Sequence, residues 1–267
     1  MKSQARLRHG GVDLSTISTF VPFDGGDRMS EIQRNWWAVP GFRPATPNVY
    51  KQGDELWAPV EAVVYHFTGP GTESRILRWL EMTRAEIRAA YRKQGIKETP
   101  PPPASAHFVV GRALEDGRVP VWQLASLEQR TWHAGARSAR LQIRGQEWAG
   151  RRVNACTIGI EIMNAGPVAK DRYQEFRDSR GHLWEGPAVC AGDTRWGAHR
   201  YWEPYSPPQI AALAELTERL ALRFPKLALD PEARLVGHDD VDPGRKIDPG
   251  PCFPWRTIRD SARRIAP

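Results

Sequence analysis

Short apolar runs rich in β-branched residues alternate along this chain with longer amphipathic segments. The runs with the length and composition of buried strands are residues 62–68, 105–110, 119–124 and 157–164. Segments with apolar residues at helical spacing are 74–91, 208–224 and 255–264, and Ser206 is a suitable N-cap for the second of them. Interleaved strands and helices predict an α/β fold, a single three-layer domain with a central mixed β-sheet flanked by helices.

Two segments depart from this alternation. Residues 1–58 are irregular because paired glycines and scattered prolines break any long period, so we expect an N-terminal extension ahead of a domain that spans residues 59–267. Residues 165–205 are rich in arginine, glycine and aromatic side chains and are expected to form a long loop insert. The aromatic residues of the insert either stack on a ligand or pack the insert onto the domain: Trp184, Trp196, Tyr201, Trp202 and Tyr205.

The composition narrows the classes of partner. The formal net charge is +7, but arginine is spread over the chain rather than gathered in one stripe, which argues against nucleic acid. Attraction to an anionic polymer and simple solubility both remain open. No segment is apolar enough to span a membrane, and the first ten residues lack the apolar core of a signal peptide, so we expect the chain to be cytoplasmic as synthesised.

The cysteines do not form a recognisable pattern. The chain has three, Cys156, Cys190 and Cys252, which is an odd number at no metal-binding spacing. We therefore expect free thiols rather than a disulfide framework.

The segment 235–255 contains the densest group of candidate metal-binding and catalytic residues. An apolar run leads into His238, and the loop that follows is stiffened by prolines at three positions. Asp248 comes ten positions after His238, with Lys246 two residues before it. An imidazole and a carboxylate on one stiff loop are two of the three protein ligands of a catalytic zinc. A lysine beside them suits the stabilisation of negative charge on a substrate oxygen.

The same segment has two other interpretations. It is either a solvated acidic loop or a calcium loop built from Asp239, Asp240 and Asp242. Calcium loops usually alternate their oxygen ligands around a central glycine, whereas Pro243 interrupts this run. The loop by itself leaves zinc and its alternatives open.

A third zinc ligand has to come from another part of the chain, and His66 is the best placed of the seven histidines. It lies near the end of a strand-like run that opens at once into Gly69-Pro70-Gly71. A polar imidazole in that position needs a partner, and a metal would supply one. His107 is better explained as a hydrogen-bonded core histidine. Solvent exposure is expected for His9, His182 and His199.

A single carboxylate interrupts the apolar run 157–164. Strand alternation places Glu161 on the same face as Gly159 and Met163. One interpretation is an edge strand with its polar face in water. The other, which we favour, is a glutamate in a cleft with a raised pKa that takes a proton from an attacking water molecule.

Together these motifs resemble the zinc-dependent N-acetylmuramoyl-L-alanine amidases of the type 2 family. That family includes the cell-wall recycling amidase AmpD, phage endolysins and the peptidoglycan recognition proteins. The resemblance runs from about Ala62 to Ala266. The motifs that carry it, in the order of the family, are Tyr65-His-Phe-Thr68, Ser105-Ala-His-Phe108, Trp132-His-Ala-Gly135, Ile158-Gly-Ile-Glu161 and Gly237-His-Asp with Gly244-Arg-Lys-Ile-Asp-Pro-Gly-Pro251.

The resemblance implies one zinc ion held by His66, His238 and Asp248. It also implies that Glu161 is the catalytic carboxylate and that Lys246 assists as an electrophile.

Three further residues are expected near the substrate. By the same resemblance Trp132, His133 and Arg245 contact the stem peptide, and His133 is alternatively a residue that supports the metal ligands from behind.

The implied reaction is hydrolysis of the amide bond between N-acetylmuramic acid and L-alanine of the peptidoglycan stem peptide. We expect the substrate to be the polymeric cell wall, reached by lysis or by secretion; delivery machinery or an immunity protein would not be visible in the sequence. One alternative is a cytoplasmic recycling amidase that acts on soluble anhydro-muropeptides. Another is a peptidoglycan-binding protein without activity, against which the presence of Glu161 and Lys246 argues.

Overall fold

The fold is known from a computed structural model. It describes residues 59–82, 84–97, 99, 104–112, 118–135, 142–143, 146–147, 153–190 and 199–265. The expected N-terminal extension, residues 1–58, lies outside these ranges.

The described strands fall into one central sheet and two smaller ones. In chain order they are β1 (Ala62–Phe67), β2 (Phe108–Val110), β3 (Val121–Gln123), β4 (Gln142–Ile143), β5 (Gln146–Glu147), β6 (Thr157–Ile162), β7 (Pro167–Lys170), β8 (Phe176–Arg177), β9 (Val189–Cys190), β10 (Tyr201–Trp202) and β11 (Leu235–Gly237). The central sheet has the order β11-β1-β6-β2-β3, in which only the β2–β3 pairing is antiparallel. The predicted mixed sheet is therefore confirmed.

The described α-helices lie between and after these strands. They are α1 (Glu73–Glu81), α2 (Arg84–Lys93), α3 (Pro207–Arg223), α4 (Lys226–Leu229), α5 (Pro231–Arg234), α6 (His238–Val241) and α7 (Trp255–Arg263). None of the helices in the described ranges is long and apolar enough to cross a membrane.

Helices cover both faces of the central sheet. On one face, α1 packs through Ile76 and Leu80 against Val109 and Trp122. On the other face, Tyr65 donates or accepts a 2.7 Å hydrogen bond with Thr217 of α3 and contacts the first residue of α7 through its ring. Strands buried on both faces read as continuous apolar runs, which is why β1 and β6 could be recognised in the sequence.

The segment 74–91 was expected to form one helix, and this prediction is wrong at its centre. The structure has α1 and α2, and between them Met82 adopts an extended backbone (φ −67°, ψ 128°). Leu80 and Ile87 are buried on the two helices and lie about two helical turns apart in the sequence. The apolar spacing therefore continues across the break and gives no sign of it.

The insert 165–205 was expected to be a loop, but its described part forms a small sheet of order β8-β7-β10-β9. Its strands are two to four residues long, too short for alternation to be read from the sequence. Trp202 is fully buried, with its ring 6.3 Å from that of Phe67. Tyr205 is also buried and donates to the Pro249 carbonyl at 2.8 Å. For these two residues, packing onto the domain is the correct interpretation.

The remaining predictions concern aromatics and cysteines. Tyr201 and Trp184 are half-buried, and Trp196 lies outside the described residues. Cys156 and Cys252 are free thiols, as expected.

Helix α3 begins with the cap that the sequence predicted. The Ser206 Oγ accepts from the Gln209 N–H, and the Gln209 Oε1 accepts from the Ser206 N–H. The Gln209 amide also donates to the carbonyls of Gly111 and Met163, which ties the start of the helix to the central sheet.

We predict that Ser206→Ala lowers the free energy of unfolding by about 1 kcal/mol, because an N–H in the first turn loses its acceptor. The shift would be measured as the change in the midpoint of urea denaturation. Ser179→Ala, at an exposed turn, is the control and should leave the midpoint unchanged. An equal effect of the two variants would contradict the capping role.

Candidate metal centre and catalytic site

The site lies where three parallel strands of the central sheet end. β1 pairs with β11 on one side and with β6 on the other, so the carboxyl ends of all three meet at one edge. His66 is in direct register with Glu161 on β6, which places both side chains on the same face. His238 follows immediately after Gly237, the last residue of β11.

Three potential metal ligands converge at this edge. His66 Nδ1 and His238 Nδ1 each lie 2.9 Å from Asp248 Oδ2, and the two nitrogens lie 2.9 Å from each other. All three residues are buried, and they are the group among the described residues that could hold a metal ion.

The chemistry of this triangle favours a cation at its centre. A ring nitrogen carries at most one proton and a carboxylate accepts only, so three mutual contacts cannot all be satisfied hydrogen bonds. Two imidazole nitrogens and a carboxylate oxygen are ligands that zinc accepts, and three protein ligands leave the fourth position open for chemistry. The residues present therefore fit a catalytic zinc ion.

The ionisation of the ligands agrees with this fit. Burial, together with the neighbouring His238, lowers the pKa of His66 to about 4, so the imidazole is neutral near pH 7. Burial alone would raise the pKa of Asp248, but the two facing imidazoles hold it well below its ordinary value. A neutral imidazole and an ionised carboxylate are the forms that bind a metal.

The acidic residues around His238 shape the loop. The Asp239 N–H donates to the Asp248 carbonyl at 2.9 Å, and Asp240 Oδ2 accepts from the Gly237 N–H at 3.0 Å. Asp242 Oδ2 accepts from Arg245 Nε at 2.6 Å. The carboxylates of Asp240 and Asp242 are therefore used within the loop itself.

Glu161 lies on a central strand, flanked by β1 and β2, so the edge-strand interpretation is wrong. Its Oε2 is buried, and no hydrogen-bond partner for it is found among the described residues. Burial raises the pKa of Glu161 to about 8; the Asp248 carboxylate adds to the shift and the Lys246 charge opposes it. A carboxyl group of this kind exchanges a proton close to neutral pH, as a general acid or base must.

The other expected site residues lie at different depths. Trp132 is exposed to 36 %, and Arg245 is exposed and paired with Asp242. His133 is buried, with Nδ1 3.2 Å from His66 Nε2, and its burial lowers its pKa well below the ordinary value. Its contacts are those expected of the alternative interpretation, a residue behind the ligands.

The remaining histidines have simpler roles. His107 is fully buried; its Nδ1 accepts from the Gly159 N–H at 3.0 Å and its Nε2 donates to the Gln129 carbonyl at 2.8 Å. It is a core histidine, as the sequence indicated. His182 and His199 are exposed, and His9 lies outside the described residues.

Sequence reasoning missed two residues that contact His133. Thr157 Oγ1 lies 3.0 Å from His133 Nε2. A Cβ atom on Gly159 would lie 2.4 Å from the Cγ of His133, so only glycine leaves room for the ring. A glycine inside a strand is a recognised sign of close approach, whereas Thr157 had no signal that distinguished it from an ordinary strand residue.

Residues 56–251 match the family model described as N-acetylmuramoyl-L-alanine amidase. N-acetylmuramoyl-L-alanine amidase AmiD of Escherichia coli K12 is 30% identical over 157 residues, which are 58% of this chain and 43% of that protein. 1,6-anhydro-N-acetylmuramyl-L-alanine amidase AmpD of Haemophilus influenzae is 27% identical over 159 residues, 60% of this chain and 59% of that protein. The chain thus spans about half the length of these curated relatives.

A solved structure is also similar. It is the E. coli amidase AmiD in complex with anhydro-N-acetylmuramic acid-L-Ala-D-gamma-Glu-L-Lys, at 24% identity and a TM-score of 0.47, covering 79% of this chain and 60% of that one.

We predict that alanine at His66, His238 or Asp248 reduces bound zinc to near zero, because three protein ligands leave no redundancy. Elemental analysis of the purified full chain would measure this, with thermal unfolding as the test of folding. His107→Gln is the matched control, since it alters an equally buried imidazole outside the cluster, and it should cost stability while keeping zinc. Full zinc occupancy in His66→Ala would exclude the assignment.

Proposed function

Because the chain belongs to the N-acetylmuramoyl-L-alanine amidase family, we propose that it hydrolyses the amide bond between N-acetylmuramic acid and L-alanine of the peptidoglycan stem peptide. The catalytic domain in this proposal spans residues 59–267. The observation that carries the proposal is a half-buried Glu161, with its Oε2 enclosed, beside the His66, His238 and Asp248 cluster at one edge of the sheet.

The cofactor in this proposal is one zinc ion on His66, His238 and Asp248. When bound, it supplies Lewis acidity toward the scissile carbonyl and makes water nucleophilic at neutral pH. Glu161 takes the proton of the attacking water and passes it to the leaving amine of L-alanine. Its raised pKa supports this double role, because a carboxyl group that titrates near neutrality can both accept and return a proton.

Lys246 is proposed to stabilise the negative charge that develops on the carbonyl oxygen. Its charge acts on Glu161 and on His66, which supports a position of the ammonium group within electrostatic range of the reacting centre. Trp132 and Arg245 are proposed to contact the stem peptide from the exposed rim. The desolvated oxygen of Glu161 beside the His66, His238 and Asp248 cluster supports an enzyme over a binding protein without activity.

We predict that Glu161→Gln keeps zinc and loses most turnover, by about 10²–10⁴-fold, because the amide cannot accept a proton. Release of the alanine amino group from a muropeptide would measure the rate. Glu203→Gln is the matched control, because Glu203 is a buried carboxyl group that likewise has a raised pKa but pairs with Arg112. Its substitution should reduce stability and leave turnover unchanged. Near-normal turnover in Glu161→Gln would place the proton transfer on another group.

We propose two forms of the substrate, and the first is the preferred one. The first is the polymeric wall, supported by the net charge of +7, which attracts an anionic polymer. The second is soluble anhydro-muropeptide, supported by the similarity to proteins named 1,6-anhydro-N-acetylmuramyl-L-alanine amidase.

We predict that the protein cleaves intact sacculi and that this activity falls as salt is raised from 0.01 M to about 0.5 M, because screening weakens long-range attraction. Cleavage of a small soluble muropeptide should depend much less on salt. Glu161→Gln sets the background in both assays. Activity on soluble anhydro-muropeptide with untouched sacculi would reject the first form and support the second.

A further inference from the structure

A chain of buried hydrogen bonds runs from the backbone to the back of one metal ligand. Thr157 Oγ1 donates to the Val153 carbonyl at 2.7 Å and lies 3.0 Å from His133 Nε2. His133 Nδ1 lies 3.2 Å from His66 Nε2, on the opposite side of the His66 ring from Asp248. All four residues of this path are buried. The path ends at the His66 ring, whose other nitrogen, Nδ1, faces Asp248 and His238.

The proton positions along this path follow from its first bond. A hydroxyl has one proton, and Thr157 gives it to the Val153 carbonyl, so its oxygen can only accept from His133 Nε2–H. A neutral imidazole carries its one proton on a single nitrogen, which leaves His133 Nδ1 as an acceptor. That acceptor is satisfied by His66 Nε2–H. The His66 Nδ1 is then a bare lone pair.

The lone pair on His66 Nδ1 points toward the other two potential metal ligands. His66 Nδ1 points at Asp248 Oδ2 and His238 Nδ1, each 2.9 Å away. A metal ligand must present an unprotonated nitrogen, and the hydrogen bond on the other nitrogen decides which one that is. We propose that Thr157 and His133 are positioning residues that lock His66 in the tautomer whose Nδ1 binds the metal. The proposal rests on the proposed zinc centre and adds to it the two residues that orient one ligand.

Two further observations support a dedicated path. The His133 ring lies so close to the backbone of β6 that the strand carries glycine at position 159, and this fixes the ring against the sheet. His238 offers a contrast, because its buried Nε2 finds no hydrogen-bond partner within the described residues. Of the two histidines, His66 is therefore oriented by a hydrogen bond on its second nitrogen, whereas His238 is not.

The molecule contains its own matched control. Thr131 Oγ1 lies 3.1 Å from Nδ1 of His107, a second buried threonine beside a second buried histidine. His107 is not one of the three described residues, His66, His238 and Asp248, that could hold a metal ion. Thr131→Val and Thr157→Val thus each remove one hydroxyl from a buried threonine–histidine pair. Thr131 donates to its histidine and Thr157 accepts from its own, and only the second pair touches a ligand.

The first experiment observes the tautomers directly in the metal-free full chain. Long-range ¹H–¹⁵N correlation spectra should show His66 and His133 both protonated on Nε2. Thr157→Val should add an Nδ1–H population at His133, whereas Thr131→Val should not. A wild-type His66 protonated on Nδ1 would overturn the proposal.

The second experiment measures zinc affinity by competition with a chromophoric chelator, with thermal unfolding recorded for each variant. We expect His133→Leu to weaken zinc binding by about 10- to 100-fold and Thr157→Val by about tenfold, the range for residues that orient metal ligands. His133→Asn should recover part of the loss, because its Oδ1 can accept from His66 Nε2–H. Thr131→Val should lose stability and keep zinc affinity.

Equal zinc affinity in Thr157→Val and Thr131→Val would overturn the proposal. Neither experiment uses a substrate, so they are independent of the proposed amidase activity. A wild type that binds zinc and shows the expected tautomers but does not cleave muropeptides would reject the proposed function alone. A wild type that cleaves muropeptides, with unchanged zinc affinity in His133→Leu, would reject the positioning role alone.

Discussion

The parallel pairing of β11, β1 and β6 is the constraint on which the site depends. Parallel strands all end at the same edge, so residues far apart in the chain, His66, Glu161 and His238, arrive together without a long loop to carry them. The register is specific, since a shift of one residue would turn Glu161 and Gly159 to the opposite face. The ring of His133 then has no room, because the residues of β6 that face the other way are isoleucines. Packing and chemistry therefore select the same register.

Burial sets the electrostatics of this edge. Asp248 and Glu161 are two carboxyl groups in the same desolvated region, but their pKa values shift in opposite directions. Asp248 faces two imidazoles and stays ionised, whereas Glu161 has a buried oxygen without a partner and a carboxylate nearby. Separated pKa values of this kind allow one carboxylate to bind a cation while the other exchanges protons.

The sheet could be predicted from local signals, whereas the full cluster of His66, His238 and Asp248 was implied by several motifs that together resemble one family. A buried parallel strand is a short apolar run, and a histidine or glutamate inside it stands out at once. The break between α1 and α2 and the small sheet of the insert could not be predicted, since the helical spacing continues across the first and the strands of the second are only two to four residues long. The role of Thr157 could not be predicted either. Its hydroxyl matters only through the position of His133, which a fold brings to it from a distant loop.

Two aromatic residues of the insert, Trp202 and Tyr205, are buried against the domain and are not available to stack on a ligand. Trp202 packs so closely on Gly250 that a Cβ there would lie 2.8 Å from its ring, and Tyr205 binds the Pro249 carbonyl. Both contacts fall immediately after Asp248, so the insert supports the loop that carries this proposed metal ligand. Shortening the insert would therefore remove support from Asp248 and reduce activity on large and small substrates alike. The proposed action on the polymer would then depend on exposed residues such as Tyr173, which is 66 % exposed and contacts the guanidinium of Arg172.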